Sequence, residues 1–147
     1  MEKIEIRACG DKSEANFVLS SLMAYNAEQV PGKTGEPGED MDSMRIDRVA
    51  VDEKGEIIGG ILGQVYFWRC LFVEILWVSQ KARGMGLGSQ LLQTAEREAK
   101  EAGCSLVHLD TFDFQAKDFY LKHGYEIFGV LDDCPEGHKR YFLKKNV

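Results

Sequence analysis

The chain has 147 residues, of which 44% are hydrophobic and 29% are charged, which is the length and composition of one globular domain. Its longest apolar stretch, Cys70–Val78, is interrupted by Glu74 and is shorter than the ~20 residues that cross a bilayer. The N-terminus has no apolar segment of a signal peptide. The net charge of −6 disfavours general binding to nucleic acid. These features predict one cytoplasmic domain with neither a nucleic-acid nor a membrane partner.

The four cysteines are widely separated and include no Cys-x-x-Cys pair, and the three histidines are dispersed. This spacing predicts free thiols and no metal site.

The first 42 residues contain three predicted elements. Residues 3–7 alternate charged and apolar side chains, which predicts a first strand. Ser13, with Asn16 at the N3 position, is a candidate N-cap for a helix with apolar residues at helical spacing. Residues 31–42 are rich in Gly, Pro and acidic residues, which predicts a loop.

Three consecutive strands are predicted next. Residues 48–51 lead into a hairpin turn at residues 53–56, and residues 57–68 form a long strand with internal glycines. Residues 71–78 are apolar on both faces, which is typical of a central strand.

The second half alternates helices and strands. Apolar residues spaced by four predict a helix that begins at Leu87 and ends at Gly103. The pattern then predicts a strand, a short helix, a strand, a turn and a last strand, at residues 106–110, 116–122, 125–131, 134–137 and 140–144. This order predicts an α/β domain with a mixed sheet.

A glycine-rich segment, Arg83-Gly84-Met85-Gly86-Leu87-Gly88-Ser89, joins the central strand to the long helix. Glycines permit close approach of the backbone to a ligand, and a helix start offers unpaired amides and positive dipole charge. The segment therefore suits a pyrophosphate, although a tight strand-to-helix turn explains the glycines as well. Lys81 adds positive charge beside Arg83.

Two other phosphate-binding motifs fit this segment less well. A P-loop requires Gly-Lys-Ser/Thr, which is absent. A nicotinamide-dependent oxidoreductase is favoured only by Gly84, Gly86 and Asp110, and too few strand–helix units remain for its fold.

Two motifs resemble those of the GNAT superfamily of acyl-CoA-dependent N-acyltransferases. Arg83-x-x-Gly86-x-Gly88 resembles motif A, and residues 113–125, DFQAKDFYLKHGY, resemble motif B, usually N-x-x-A-x-x-F/L-Y-x-x-x-G-F. Asp113 departs from the usual Asn. The resemblance implies one acyl-CoA N-acyltransferase domain over residues 1–147. Its α/β sheet would be mixed and mostly antiparallel, flanked by helices and splayed at the central strands.

The resemblance also implies a reaction and a cofactor site. Acetyl-CoA would donate an acetyl group to an amine of a small molecule or peptide by direct attack, with no metal. Dimers are common in the family, and the sequence leaves the oligomeric state open. A non-catalytic acetyl-CoA-binding regulatory module on the same fold is the alternative. The implied cofactor-binding residues are Trp77, Val78, Arg83, Gly84, Met85, Gly86, Leu87, Gly88, Ser89 and Asp113.

Two side chains are predicted to be catalytic. Glu74 is the one charge in an apolar run, so we expect it to face a cavity and to act as the base. The alternative is a structural glutamate at the sheet rim that pairs with a nearby arginine such as Arg69. Tyr120 stands where the family places the acid that protonates the leaving sulfur, although an aromatic residue here could serve packing alone. The amide of Val78 would stabilise the oxyanion.

The charge distribution indicates the acceptor. The first 60 residues hold seven Lys/Arg and thirteen Asp/Glu, whereas the remainder holds eleven of each. By resemblance the carboxylates of the first part would lie near the acceptor entrance and attract a small cationic amine. They are Glu28, Glu36, Glu39, Asp40 and Asp42.

Overall fold

The computed structural model describes residues 3–30, 45–66 and 69–147. The chain divides into two compact units, Met1–Thr34 and Gly35–Val147. The first unit contains helix α1 (Lys12–Gln29). The carboxylate of Asp11 caps this helix by accepting hydrogen bonds from the amides of Ser13 (2.9 Å) and Glu14 (3.3 Å). The cap predicted at Ser13 is therefore wrong by two residues, and the Ser13 hydroxyl itself donates to Asp11.

Residues 3–9 form no regular secondary structure, so the strand predicted at residues 3–7 is wrong. An alternating pattern produces a strand only where a neighbouring strand completes its hydrogen bonds. No strand of the described ranges pairs with this segment, and Arg7 forms an ion pair with Glu14 at 2.9 Å instead. The loop predicted at residues 31–42 lies outside the described residues.

The second unit is built on a sheet of six strands within the described residues. They are β1 (Arg45–Val51), β2 (Ile57–Tyr66), β3 (Cys70–Val78), β4 (Leu106–Phe112), β5 (Glu126–Asp132) and β6 (Lys139–Asn146). Their spatial order is β1-β2-β3-β4-β6-β5. Only β3 and β4 are parallel among these pairs. The predicted mixed, mostly antiparallel sheet is confirmed.

Two α-helices, α2 (Leu87–Glu101) and α3 (Lys117–Lys122), cover one face of this sheet, which we call the helix face. Helix α2 packs on β1, β2 and β3, and it buries Leu91, Leu92, Ala95 and Ala99. It ends in a Schellman motif, because the amide of Cys104 donates to Ala99 (2.9 Å) and that of Gly103 to Lys100 (3.0 Å). Gly103 has φ +89°, so the predicted end of this helix is confirmed.

The main core lies between these helices and the sheet. Its buried strand residues on the helix face are Ile46, Ile61, Val65, Leu71, Val73, Val107, Leu109 and Leu143. Among the helices in the described ranges, none is both long enough and apolar enough to cross a bilayer.

Strands β3 and β4 separate halfway along their length. They pair from Cys70 with Leu106 to Val73 with Leu109, although β3 continues to Val78 and β4 to Phe112. The sheet is therefore splayed at its central strands, as the resemblance implies, and a gap opens between their carboxyl-terminal halves.

A β-bulge lies at the start of this gap. On β2, Gly63 pairs with Val73 and Leu62 pairs with Ile75, which leaves Glu74 as an extra residue of β3. Leu71 and Val73 face the core before the bulge, and Leu76 and Val78 pack against the core after it. Ile75 and Trp77 are exposed. The bulge thus reverses the alternation of β3 at the point where pairing with β4 ends.

Candidate active site

The glycine-rich segment presents its backbone to solvent. Gly84 and Gly86 have φ values of +81° and +76°, and a Cβ added to either would meet no atom within 4 Å. Gly86 is the N-cap of α2 and provides no side-chain cap. The first hydrogen bond of the helix joins the amide of Gln90 to the carbonyl of Gly86 (3.1 Å). The amides of Leu87, Gly88 and Ser89 therefore have no acceptor within the helix and can receive an anion.

The two basic residues predicted beside this segment have different surroundings. Arg83 lines the cavity next to the glycines, and its Nε donates to the carbonyl of Val78 (3.4 Å). Lys81 pairs with Glu56 (2.9 Å), which lies in the turn between β1 and β2. Arg83 is thus the cation that the segment offers to a phosphate, whereas the charge of Lys81 is balanced locally.

A cavity of about 750 Å³ occupies the gap between β3 and β4 and extends along the glycine segment to α3. The predicted site residues that line it are Glu74, Trp77, Val78, Arg83, Gly84, Gly86, Leu87, Gly88, Ser89 and Tyr120. Met85 is exposed, and neither it nor Asp113 belongs to the lining. The lining thus combines the free amides at the start of α2 with the splayed strands β3 and β4, so it can hold a phosphate group together with a longer attached chain.

The backbone of β3 also serves this cavity. The amide of Ser79 donates to Ile58 of β2 (2.8 Å), and Val78 is the next residue in register, opposite Gly59. Since hydrogen-bonded and non-hydrogen-bonded pairs alternate in antiparallel strands, the amide of Val78 points away from β2 into the gap. By the same alternation, the amide and the carbonyl of Trp77 point toward β2.

Glu74 lies at the bulge and holds an arginine. Both of its carboxylate oxygens accept hydrogen bonds from Arg45 of β1, at 3.1 Å each. Arg45 also binds Asp47 at 2.8 Å, and these two carboxylates raise the pKa of the guanidinium. The pairing partner of Glu74 is therefore Arg45 and not Arg69, which donates to the carbonyl of Ala102. About a third of the Glu74 side chain is exposed, so lone pairs remain accessible from the cavity.

Tyr120 reaches the cavity from α3 and is 6% exposed. Burial, together with the nearby carboxylate of Asp110, raises the pKa of its hydroxyl to about 12. The hydroxyl is therefore protonated at neutral pH and can donate a hydrogen bond or a proton. The ring packs edge-to-face on Phe119 and Tyr125, so the packing role weighed from sequence is present as well.

The contacts of Asp113 are with its own chain. Its carboxylate accepts from the amide of Lys139 (2.9 Å) and contacts Nδ1 of His138 (2.8 Å). These interactions hold the pKa of Asp113 below its ordinary value and fasten the β5–β6 turn to the end of β4. The contact between Asp113 and a cofactor stays a prediction, and it would have to share a carboxylate that is already bound.

Sequence reasoning missed three residues at this site. Arg45 orients Glu74, and Arg140 pairs with the cavity carboxylate of Asp110 (2.9 Å). His123 binds the hydroxyl of Ser89 (2.9 Å). No sequence pattern points to the two arginines, because their partners are distant in the chain. In the sequence, His123-Gly124 indicates only the end of a helix, so it does not reveal the contact of His123 with Ser89.

Known proteins share this arrangement. The profile of the Acetyltransferase (GNAT) family matches residues 22–125. The blasticidin-S acetyltransferase of Streptomyces morookaense is 42% identical over 99 residues, which are 67% of this chain and 72% of that protein.

Two solved structures extend the comparison. An acetyltransferase from Bacillus cereus superposes with a TM-score of 0.85 and 37% identity, covering 97% of this chain and 98% of that one. An acetyltransferase from Bacillus anthracis, solved with acetyl coenzyme A, superposes with a TM-score of 0.63 and 22% identity, over 76% of this chain and 70% of that one.

The chain belongs to the GNAT acetyltransferase family. It is an acetyl-CoA-dependent N-acetyltransferase. The nicotinamide-dependent oxidoreductase considered from sequence is wrong, because a dinucleotide fold needs successive parallel strands and β3 with β4 is the one parallel pair in the described sheet.

Proposed function

We propose that this protein transfers the acetyl group of acetyl-CoA to a primary amine of a small molecule or peptide by direct attack. The observation that carries the proposal is the gap beyond Val73 and Leu109, into which the Val78 amide points beside the free amides of α2. We also propose that residues 1–147 form one catalytic domain, since the match to the Bacillus cereus enzyme covers 97% of the chain.

Acetyl-CoA would be held along the glycine segment and the edge of β3. The amides of Leu87, Gly88 and Ser89, together with Arg83, would bind the pyrophosphate. The open space around Gly84 and Gly86 leaves room for it. Acetyl-CoA supplies the acetyl group as a thioester, in which the carbonyl carbon is open to attack by an amine.

Three groups of this chain would meet the demands of the reaction. An alkyl ammonium has a pKa near 10, so Glu74 would accept its proton directly or through a water. The Val78 amide would donate a hydrogen bond to the carbonyl oxygen as that oxygen gains negative charge. Tyr120 would donate its proton toward the departing sulfur.

Direct attack is supported by the positions of the cysteines. Within the described residues, no cysteine lines the cavity. Cys104 is buried at the far end of α2 from the glycine segment, and its burial raises the pKa of the thiol. No thiolate is therefore placed to accept the acetyl group before the amine does.

A small cationic amine remains the proposed acceptor. The cavity carboxylates Glu74 and Asp110 are each paired with an arginine, so attraction of a cation would depend on the acidic segment of residues 36–42, which lies outside the described residues. The name of the similar blasticidin-S acetyltransferase supports an antibiotic as a first candidate.

The test is release of CoA thiol from acetyl-CoA with a panel of cationic, neutral and anionic amines. We expect acceptor kcat/KM for cationic amines to fall with salt, because the Debye length shortens from about 10 Å at 0.1 M to about 3 Å at 1 M. Joint neutralisation of Glu39, Asp40 and Asp42 should produce the same fall without changing cofactor affinity. A preference for anionic amines would refute the cationic acceptor. If none of the amines in the panel causes release of the CoA thiol, that result would contradict the proposed reaction.

A further inference from the structure

The start of α2 and the end of α3 are joined by a chain of hydrogen bonds through His123. Its Nδ1 lies 2.7 Å from the carbonyl oxygen of Phe119, and its Nε2 lies 2.9 Å from Oγ of Ser89. The imidazole also packs on the ring of Phe119 at 4.4 Å, and a Cβ on Gly88 would touch that same ring at 3.5 Å. Helix α3 therefore supports the N-terminus of α2 where the pyrophosphate is proposed to bind.

The direction of these hydrogen bonds follows from the acceptor at one end. A carbonyl oxygen can only accept, so Nδ1 of His123 carries a proton. In the neutral imidazole, Nε2 then has no proton and must accept, which means that the hydroxyl of Ser89 donates to it.

This arrangement is unsuited to a phosphate. Ser89 lines the cavity in the first turn of α2, and its single hydroxyl proton is directed at His123. Only lone pairs of Oγ remain for a ligand, and phosphate oxygens are themselves acceptors. Protonation of Nε2 removes the conflict, because the ring then donates at both nitrogens and the hydroxyl of Ser89 is free to donate to the ligand.

We propose that His123 is a positioning residue that takes up a proton when coenzyme A binds, and thereby turns the hydroxyl of Ser89 toward the pyrophosphate. The inference rests on the proposed binding of coenzyme A at the glycine segment. An imidazolium close to a phosphate is also favoured electrostatically, so the uptake and the binding strengthen each other.

The charged side chains near the ring do not themselves account for this proton uptake, so we expect it to depend on binding of the ligand. Lys145 of β6 passes Gly124 beside the histidine, and its ammonium is bound to Glu96 of α2 at 2.6 Å. Asp118 and Lys122 of α3 are exposed, and Arg83 of the glycine segment would itself bind the phosphate. Among the described residues, the two ring nitrogens bond to the Phe119 carbonyl and the Ser89 hydroxyl and not to a carboxylate.

Calorimetric titration with coenzyme A, in two buffers that differ in ionisation enthalpy, counts the protons taken up. The range from pH 7.5 to 8.5 is suitable, because the phosphates of coenzyme A are ionised there. We expect net proton uptake on binding, up to one proton per coenzyme A, and a Kd that rises with pH by up to about tenfold per pH unit through this linkage.

The matched variants are His123→Gln and His123→Ala. The amide of glutamine can donate to Ser89 at every pH, so His123→Gln should bind coenzyme A without proton uptake and with a Kd that is flat in pH. His123→Ala should bind more weakly than His123→Gln, also without uptake. A merely structural histidine predicts equal proton counts in the wild type and His123→Gln, and that result would overturn the inference.

A second measurement needs no variant. Nitrogen NMR of the wild type should show Nε2 of His123 change from an unprotonated to a protonated nitrogen when coenzyme A is added, and an unchanged signal would overturn the inference. Binding of coenzyme A without proton uptake refutes the role of His123 and leaves the proposed function intact. An absence of any binding by the wild type refutes both.

Discussion

Replacing Tyr120 with phenylalanine removes one hydroxyl and keeps the ring that packs on Phe119 and Tyr125. The pKa of that hydroxyl is about 12, whereas a thiol in water has a pKa of about 8.5. Full proton transfer to a thiolate would thus be uphill by about 3.5 units, or about 5 kcal/mol at 1.36 kcal/mol per unit. Burial in the same cavity would also raise the pKa of the departing CoA thiol, so the difference between the pKa values of the Tyr120 hydroxyl and the thiol becomes smaller. The hydroxyl should therefore act mainly by hydrogen bonding to the sulfur as negative charge develops there.

We expect Tyr120→Phe to lower kcat by about 10²- to 10⁴-fold, the usual contribution of a general acid. The affinity for acetyl-CoA should change little, because the proposed phosphate contacts lie on α2 and Arg83. In the wild type the donor is lost only as pH rises through about 12, so kcat should show no alkaline decline from Tyr120 below about pH 11. Thiol release at saturating substrates measures both quantities.

Tyr125→Phe is the matched control. Tyr125 is also buried, and its pKa is raised by burial, but its hydroxyl has no hydrogen-bond partner among the described residues and it does not line the cavity. This variant should keep the wild-type rate and be at least as stable. Equal rates for the wild type and Tyr120→Phe across the pH range would refute the acid role and leave Tyr120 as a packing residue.

Three further predictions concern the same site. Glu74→Gln should lower kcat by about 10²- to 10⁴-fold in the thiol-release assay, whereas Glu126→Gln, on exposed β5, should not; equal rates would exclude Glu74 as the base. Gly86→Val should abolish acetyl-CoA binding in calorimetry. Gly55 also has a positive φ and open surroundings, so Gly55→Val is the control and should bind acetyl-CoA normally. An equal loss of acetyl-CoA affinity in both variants would refute the assignment of the phosphate site to the glycine segment. The free energy of unfolding should fall by about 3 kcal/mol between pH 10 and 12 from Tyr120 alone, because the unfolded tyrosine ionises near pH 10 and the native one near 12; alkaline denaturation of Tyr120→Phe should lack this fall.

Local patterns predicted most elements of the second unit. The spacing of four in α2 and the glycine that ends it are properties of a single segment, and the structure contains both. The strand predicted at residues 3–7 had an equally regular pattern, yet a strand needs a partner that its own residues do not specify. The N-cap of α1 is Asp11 and not Ser13. Both residue types are common N-caps, so the sequence alone does not decide between them; the path of the backbone does.

The candidate site divides in the same way. The glycine segment is contiguous, so the sequence alone predicts its free amides at the start of a helix, and the structure displays them. The partner of Glu74 could not be predicted, because Arg45 is 29 residues away and meets it only across β2. The bond between Ser89 and His123 likewise spans 34 residues. The first contact depends on strand register and the second on how α3 packs against α2, and neither is specified by the residues next to it in the sequence.

The bulge at Glu74 has a consequence for how the enzyme can be altered. Every other residue of β3 from Cys70 to Val78 has a partner on β2, so deletion of Glu74 would let the two strands close into an unbroken ladder with each core residue still facing the core. The same deletion would remove the bulge that lies where pairing with β4 ends, after Val73. The proposed base is therefore the one residue of β3 that takes no part in the pairing with β2. Its loss would make that pairing continuous and would remove the carboxylate from the cavity.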